Sequence, residues 1–190
     1  VLILDKSDNT NVNDKINTDL SFLTGLTIST SPNGVMTYAK DNEGHPIINS
    51  VVSSSAIARE QIIKLINGGN ISITFSMEKN SATPQITSFI KNSNNVDSRT
   101  LGWGMTFLHE TFHTSAGGAF KDLSIPFQTG DVVDRMNAIR QELNTVGLNM
   151  GNRESYPSIS IGGIKYIPFD KSSARHLKDG DVPLRNNKYI

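Results

Sequence analysis

The chain contains no cysteine among its 190 residues, which excludes a disulfide framework and any metal site built on thiolates. Its apolar runs are far shorter than the roughly 20 residues of a transmembrane helix, so no membrane insertion is expected. Eighteen Lys and Arg residues balance eighteen Asp and Glu residues, and the basic ones are scattered along the chain. The sequence therefore indicates neither a nucleic acid nor an anionic membrane as a partner.

The sequence also lacks an initiator methionine, and its first apolar residues are too few for a signal peptide. The missing methionine indicates either a processed chain or a piece cut from a larger protein, and we favour the second. Hydrophobic residues make up 36% and charged residues 19% of it, as is typical of a globular protein. At 20.8 kDa the chain is long enough for one substantial core, so residues 1–190 are expected to form a single domain.

The most informative segment is the pentapeptide that begins at His109 and ends at His113, with the sequence His-Glu-Thr-Phe-His. Two His residues four apart lie on one face of an α-helix, where their ring nitrogens can converge on one tetrahedral zinc ion. Glu110 would lie beside the metal. Zinc lowers the pKa of its bound water to about 7, and a neighbouring carboxylate can take the proton and pass it to a leaving amine. The pattern predicts peptide hydrolysis.

The residues around the pentapeptide favour a buried helix over residues 101–115. Its apolar members are Met105, Phe107, Leu108 and Phe112. Buried His and Glu side chains need partners, and one metal ion would supply a partner for all three. The alternative is that two His and a Glu fell together on a surface helix. Gly117 and Gly118 predict the stop of the helix.

A catalytic zinc site needs three protein ligands and a water. Asp122 is the leading third ligand, because a chain that reverses at the two glycines could bring it under the metal; an ordinary loop Asp explains it equally well. The other acids considered are Asp131, Asp134 and Glu142. Asp131 is interpreted as a helix cap and Asp134 as a first-turn acid. Glu142 could be a ligand from a second helix but is more simply solvent-facing.

The oxyanion that forms during peptide hydrolysis needs a hydrogen-bond donor beside the zinc. Tyr156 is the leading candidate, with Tyr166 and Arg153 as alternatives. Tyr166 alternates with isoleucines in a predicted strand, which gives it a structural explanation. The remaining histidines, His45 and His176, lie in polar segments and are interpreted as solvated surface residues.

The hydrophobic pattern predicts an α+β chain. We expect helices at residues 53–66, 101–115 and 132–146. Strands are expected at 1–4 and 70–77, in a hairpin within 20–39 around a turn at 31–34, at 85–90 within a loop at 81–99, and twice within 157–169. Residues 5–19 form a polar stretch, and a polar tail begins at residue 170. The strand at 70–77 is the candidate edge for pairing with an extended substrate.

The spacing of His109, His113 and Asp122 resembles that of the aspzincin metallopeptidases. Aspzincins carry Gly-Thr-x-Asp before a Tyr-Gly pair, whereas this chain has Gly-Ala-Phe-Lys-Asp at residues 118–122, without the Thr or the Tyr. A longer resemblance links residues 34–38, 56–63, 109–118, 130–143 and 153–156 to C-terminal domains of bacterial RHS-repeat and related polymorphic-toxin proteins, especially in Bacteroidetes. Those domains are regarded as metallopeptidases.

These resemblances imply a zincin-like fold with an active-site helix, a second packed helix and a small mixed sheet. They imply one Zn²⁺ ion held by His109, His113 and Asp122, with Glu110 as general base and acid and Tyr156 as a catalytic donor. The expected partners are a peptide or protein substrate and the rest of a larger RHS-type chain, and the expected location is secreted or on the bacterial cell surface. Two alternatives stay open: a non-catalytic binding domain on the same fold, and a toxin domain with a non-peptide substrate.

Overall fold

The computed structural model describes residues 2–5, 10–51, 54–74, 98–157, 159–161, 164–169 and 176–178. Within these residues the chain has an α+β architecture with four α-helices and several short strands, as predicted. In chain order the elements are β1 (Leu2–Asp5), α1 (Thr10–Thr24), β2 (Ile28–Thr30), β3 (Met36–Tyr38), α2 (Ala56–Gly68), β4 (Ile71–Thr74), a 3₁₀ turn (Ser98–Leu101), α3 (Trp103–His113), α4 (Gly130–Thr145), β5 (Ile159–Ile161), β6 (Ile164–Pro168) and β7 (His176–Lys178).

The N-terminal strands form two small pairings beside the helices. β1 pairs in parallel with β4, and β2 pairs antiparallel with β3 around the predicted turn. Gly34 joins the two pairings, because its carbonyl accepts a hydrogen bond from the Leu4 N–H at 2.8 Å. A side chain at Gly34 would place a Cβ 2.4 Å from the Leu4 carbonyl oxygen. The hairpin prediction is therefore confirmed for residues 28–38, but not for the first part of its range.

Helix α1 occupies residues 10–24, where no helix was predicted: the sequence indicated only a polar stretch at 5–19 and the start of a hairpin. Ile16, Leu20 and Leu23 are completely buried, and their spacing of four and three residues places them on one helical face. The apolar stripe is narrow and is surrounded by Asn and Asp residues. The polar composition of the segment therefore gives little indication of a helix. Packing of this stripe against the rest of the core stabilises the helix where local propensity is weak.

Helix α3, which carries the pentapeptide, is buried over most of its surface and packs against α1 and α4. Gly104 allows close approach to α1, since a Cβ there would lie 2.7 Å from the Asp19 Cβ. The Asp19 carboxylate accepts a hydrogen bond from the Gly104 N–H at 3.1 Å. A carboxylate at the first turn satisfies a free amide and complements the helix dipole. Helix α1 thus caps and positions the helix of the candidate site.

The other two helices are confirmed with small shifts of their ends. α2 begins after Ser55, whose hydroxyl accepts from the Ala58 N–H at 3.1 Å. Val146, the predicted last residue of α4, is 45% exposed and lies beyond the helix. The buried apolar face of α4 consists of Val132, Val133, Met136, Ile139 and Leu143. Arg140 is buried in the same helix because its guanidinium donates two hydrogen bonds to the Thr100 carbonyl.

The C-terminal strands form an antiparallel sheet in the order β5, β6, β7. The two strands predicted within residues 157–169 are confirmed, and β7 lies in the predicted polar tail. Residues 75–97, which include the predicted short strand at 85–90, and residues 162–163 lie outside the described residues. Among the helices that the structure describes, none combines the length and apolarity needed to cross a membrane.

Candidate metal centre

Three ligand atoms converge at the end of helix α3. The Nε2 atoms of His109 and His113 lie 3.1 Å apart, and each lies 3.0 Å from the Asp122 Oδ2 atom. In a tetrahedral zinc site with bonds of about 2.0–2.1 Å, the ligand atoms are about 3.3 Å apart. The three side chains thus have the spacing that one metal ion requires, and they are the set that could hold one among the described residues.

The chain reversal after α3 brings Asp122 to the two histidines. A side chain at Gly117 would place a Cβ 1.8 Å from the Thr111 carbonyl oxygen, and one at Gly118 would place it 2.1 Å from the Phe120 ring. Gly118 also has a φ of +134°, a conformation that favours glycine. Beyond this turn Asp122 pairs with Gly130 in an antiparallel bridge. Helix α3 ends at His113 with Thr114 as its C-cap, so the two glycines do not stop the helix as predicted; they direct the chain back across its end.

The hydrogen bonding of His113 shows which of its ring nitrogens carries the proton and which presents a lone pair to His109 and Asp122. Its Nδ1 lies 2.9 Å from the Phe120 carbonyl oxygen, and a carbonyl can only accept, so Nδ1 carries the proton and donates. In the neutral ring Nε2 then presents a lone pair to His109 and Asp122. One shared proton cannot satisfy all three contacts among the two Nε2 atoms and the Asp122 Oδ2 atom. A single cation could be bound by all three atoms at once.

The environment of the Asp122 carboxylate also fits a bound cation. The Asp122 side chain is 9% exposed, and its Oδ1 atom is buried without a hydrogen-bond partner in the described part of the chain. A buried carboxylate without compensation is costly, so an unpartnered oxygen in such a position calls for an ion, a water or a reacting group. The donor set of two imidazoles and a carboxylate is one that zinc prefers.

Glu110 lies next to His109 on α3 and is half-buried. Within the described residues no cation forms an ion pair with its carboxylate. Its charge contributes to raising the pKa of Tyr156, so the carboxylate and the phenol lie near each other. A carboxylate without an ion-pair partner beside a candidate metal ligand is the arrangement that general-base chemistry at a metal site would need.

Tyr156 stacks on His109, one of the three candidate ligands. Its ring lies parallel to that of His109, with the planes 8° apart and the centroids 5.7 Å apart. Burial raises the pKa of the Tyr156 hydroxyl, and the negative charge of Asp122 raises it further, while the Arg153 guanidinium opposes both. The phenol therefore remains protonated at neutral pH and can act as a hydrogen-bond donor.

Arg153, the alternative oxyanion donor, is a buried cation. Its guanidinium donates hydrogen bonds to the carbonyls of Ser155 and Tyr156 and lies 5.1 Å from the Tyr156 ring centroid. Burial lowers its pKa to about 10, so it stays charged at neutral pH. These contacts fold residues 153–156 into the turn that holds the phenol against His109.

The other acids considered as third ligands have different partners. Glu142 accepts hydrogen bonds from the Ser55 hydroxyl and the Ile57 N–H, so it caps α2, and the prediction that it faces solvent was wrong. Thr129 occupies the N-cap position of helix α4, without a capping hydrogen bond from its side chain, and Asp131 lies in the first turn. The assignment of Asp131 as the cap was therefore wrong. Asp134 lies beyond the first turn and accepts a hydrogen bond from the Thr129 hydroxyl.

The remaining residues considered from the sequence are His45, His176, Tyr166 and the strand β4. His45 is exposed and pairs with Asp41 and Glu43, as expected of a surface residue. His176 and Tyr166 lie in paired strands β7 and β6. β4, the candidate edge for a substrate, pairs with β1.

Comparisons of the chain with protein-family models, curated proteins and solved structures gave no match. The structure brings together His109, His113 and Asp122 as the sequence predicted; their binding of zinc stays a prediction.

Proposed function

We propose that the protein is a zinc-dependent metallopeptidase on an α+β, zincin-like fold. The observation that carries the proposal is the convergence of the His109, His113 and Asp122 ligand atoms within 3.0–3.1 Å of one another. These three residues would hold the metal. A three-residue set leaves a coordination position free for water or substrate, as catalytic sites require and structural sites do not.

Zinc bound there would supply Lewis-acid activation of water and polarisation of the substrate carbonyl. Glu110 then takes a proton from the attacking water and delivers it to the leaving amine, so its carboxylate acts first as base and later as acid. The phenol of Tyr156, kept protonated by burial, donates a hydrogen bond to the developing oxyanion. His113 is oriented for metal binding by its bond to Phe120, as outer partners do in metal sites.

The peptidase proposal is tested by Glu110→Gln, which keeps the size of the side chain but removes its basic oxygen. The zinc-loaded parent and the variant are given the same mixture of internally quenched peptides. We expect the variant to keep its zinc by elemental analysis and to lose hydrolysis by roughly 10²–10⁴-fold.

Glu60→Gln is the matched control, because Glu60 is an exposed residue of α2. This variant should cleave as the parent does. Equal cleavage by parent and Glu110→Gln would overturn the mechanism. Zinc binding without any cleavage would instead favour the non-catalytic binding domain or the toxin with a non-peptide substrate.

A further inference from the structure

An exposed apolar loop begins directly after the candidate ligand Asp122. All of residues 123–128 are exposed, and the loop contains three large apolar side chains: Leu123, Ile125 and Phe127 are 40%, 50% and 69% exposed. Single apolar residues on a surface are common, whereas several exposed apolar residues close together often mark a binding site. This cluster lies within five residues of the metal-binding carboxylate.

The loop is held at both ends by the candidate site. At its neck Asp122 pairs with Gly130. At its far end the Phe127 N–H donates to the buried Ser155 hydroxyl at 3.1 Å, and the Gln128 carbonyl accepts from the Tyr156 N–H at 3.3 Å. The loop is therefore fixed to the same segment that places the phenol over His109.

The backbone of Phe127 is strained. Its φ of +62° lies in the left-handed region, which a bulky residue other than glycine rarely adopts. Burial of the ring does not offset this strain, because most of the ring is exposed. Strained positions of this kind cluster at binding and catalytic sites, where the conformation serves a ligand.

We propose that the loop 123–128 binds apolar side chains of an extended peptide next to the bond that is cut. This inference rests on the proposed peptidase function and adds a preference for apolar residues flanking the scissile bond. A peptide is favoured over a lipid surface because the loop has no Lys or Arg, whereas interfacial segments combine apolar and basic residues. The loop also begins at the reacting centre, where a substrate must lie.

The test uses Phe127→Asn, since Asn adopts a positive φ more readily than Phe and the fold should be retained. The zinc-loaded parent and variant digest one proteome-derived peptide mixture, and mass spectrometry identifies the cleavage positions. We expect cuts beside apolar residues to fall roughly tenfold relative to cuts beside polar residues. Ile125→Ser should act in the same direction. Ile48→Ser is the matched control, because Ile48 is 49% exposed outside this loop, and its profile should equal that of the parent.

A binding measurement tests peptide binding by the loop independently of hydrolysis. Glu110→Gln is mixed with a Leu- and Phe-containing peptide or with the same peptide carrying Ser at those positions, and amide hydrogen exchange is measured. Protection of residues 123–128 by the apolar peptide alone supports binding of apolar side chains by the loop. If the parent nevertheless cleaves nothing, the peptidase proposal fails and the loop is a peptide-binding surface only. Cleavage by the parent with an unchanged profile in Phe127→Asn overturns the inference and leaves the peptidase proposal standing. Binding to phosphatidylcholine and phosphatidylglycerol vesicles that depends on Phe127, without peptide protection, also overturns it.

Discussion

The Nδ1 atom of His113 donates a hydrogen bond to the Phe120 carbonyl across 2.9 Å, and this contact couples the orientation of His113 to the position of Asp122, a second candidate ligand. Phe120 lies on the reversal between His113 and Asp122, and its N–H returns a hydrogen bond to the Phe112 carbonyl at 3.1 Å. From α4 the Arg135 guanidinium lies 3.7 Å from the Phe120 ring centroid. The same turn therefore fixes the tautomer of His113 and the position of Asp122.

The first prediction is that zinc binding depends on all three residues of the cluster. His109→Ala, His113→Ala and Asp122→Ala each leave two protein ligands, so each variant should bind zinc far more weakly than the parent. Elemental analysis after dialysis measures the zinc content per chain, and the parent should retain one ion. His45→Ala is the matched control, since it removes an exposed His. Unchanged stoichiometry in all three cluster variants would show that zinc binds elsewhere.

The second prediction is that metal removal lowers stability. A ligand that binds only the folded state stabilises it in proportion to the logarithm of its concentration over its Kd, and an excess of about 100 times Kd contributes roughly 2.7 kcal/mol. The melting temperature of the parent should fall on addition of a chelator and recover with zinc. Asp122→Ala should melt at the same temperature with and without zinc. An equal zinc-dependent shift in both proteins would contradict the assigned site.

The sequence predicted the part of the site that depends on local spacing and missed the part that depends on distant contacts. The separation of His109 and His113 fixes their common helical face, and Gly117 and Gly118 predict the reversal. The cap that Asp19 provides for α3 could not be predicted, because it joins residues 85 positions apart. The role of Glu142 was missed for the same reason, since its partner Ser55 lies 87 positions away.

The third prediction follows from that long-range cap. Glu142→Ala removes the acceptor for the Ser55 hydroxyl and the Ile57 N–H, so the folded state should lose roughly 0.5–2 kcal/mol, as lost helix caps do. Chemical denaturation measures the loss, and the zinc content should equal that of the parent. Gln141→Ala changes the exposed neighbour and should leave stability nearly unchanged. Loss of zinc from folded Glu142→Ala would restore Glu142 as a ligand candidate.

The fourth prediction concerns the close approach of α1 and α3. Gly104→Ala would normally stabilise a helix interior by about 1 kcal/mol. Here the added Cβ would lie 2.7 Å from the Asp19 Cβ and 2.9 Å from a Leu23 methyl carbon, so overpacking should destabilise the fold by roughly 1–3 kcal/mol. Gly68→Ala is the control, because its Cβ would meet nothing within 4 Å. A stabilising Gly104→Ala in chemical denaturation would contradict the packing described for this helix.

The last prediction concerns the ionisation of Tyr156 in the metal-free protein. Burial and then the charge of Asp122 raise the pKa of this phenol above its usual value of 10.0. An alkaline titration of tyrosinate absorbance should therefore show one late component that Tyr156→Phe removes. The unfolded chain releases this proton at a lower pH than the folded chain. The stabilising contribution is consequently complete below about pH 10 and is lost as pH rises through the folded-state pKa. The parent should lose more stability than Tyr156→Phe over that range. Removal of an early component instead would show that the phenol is solvated and not stacked against His109.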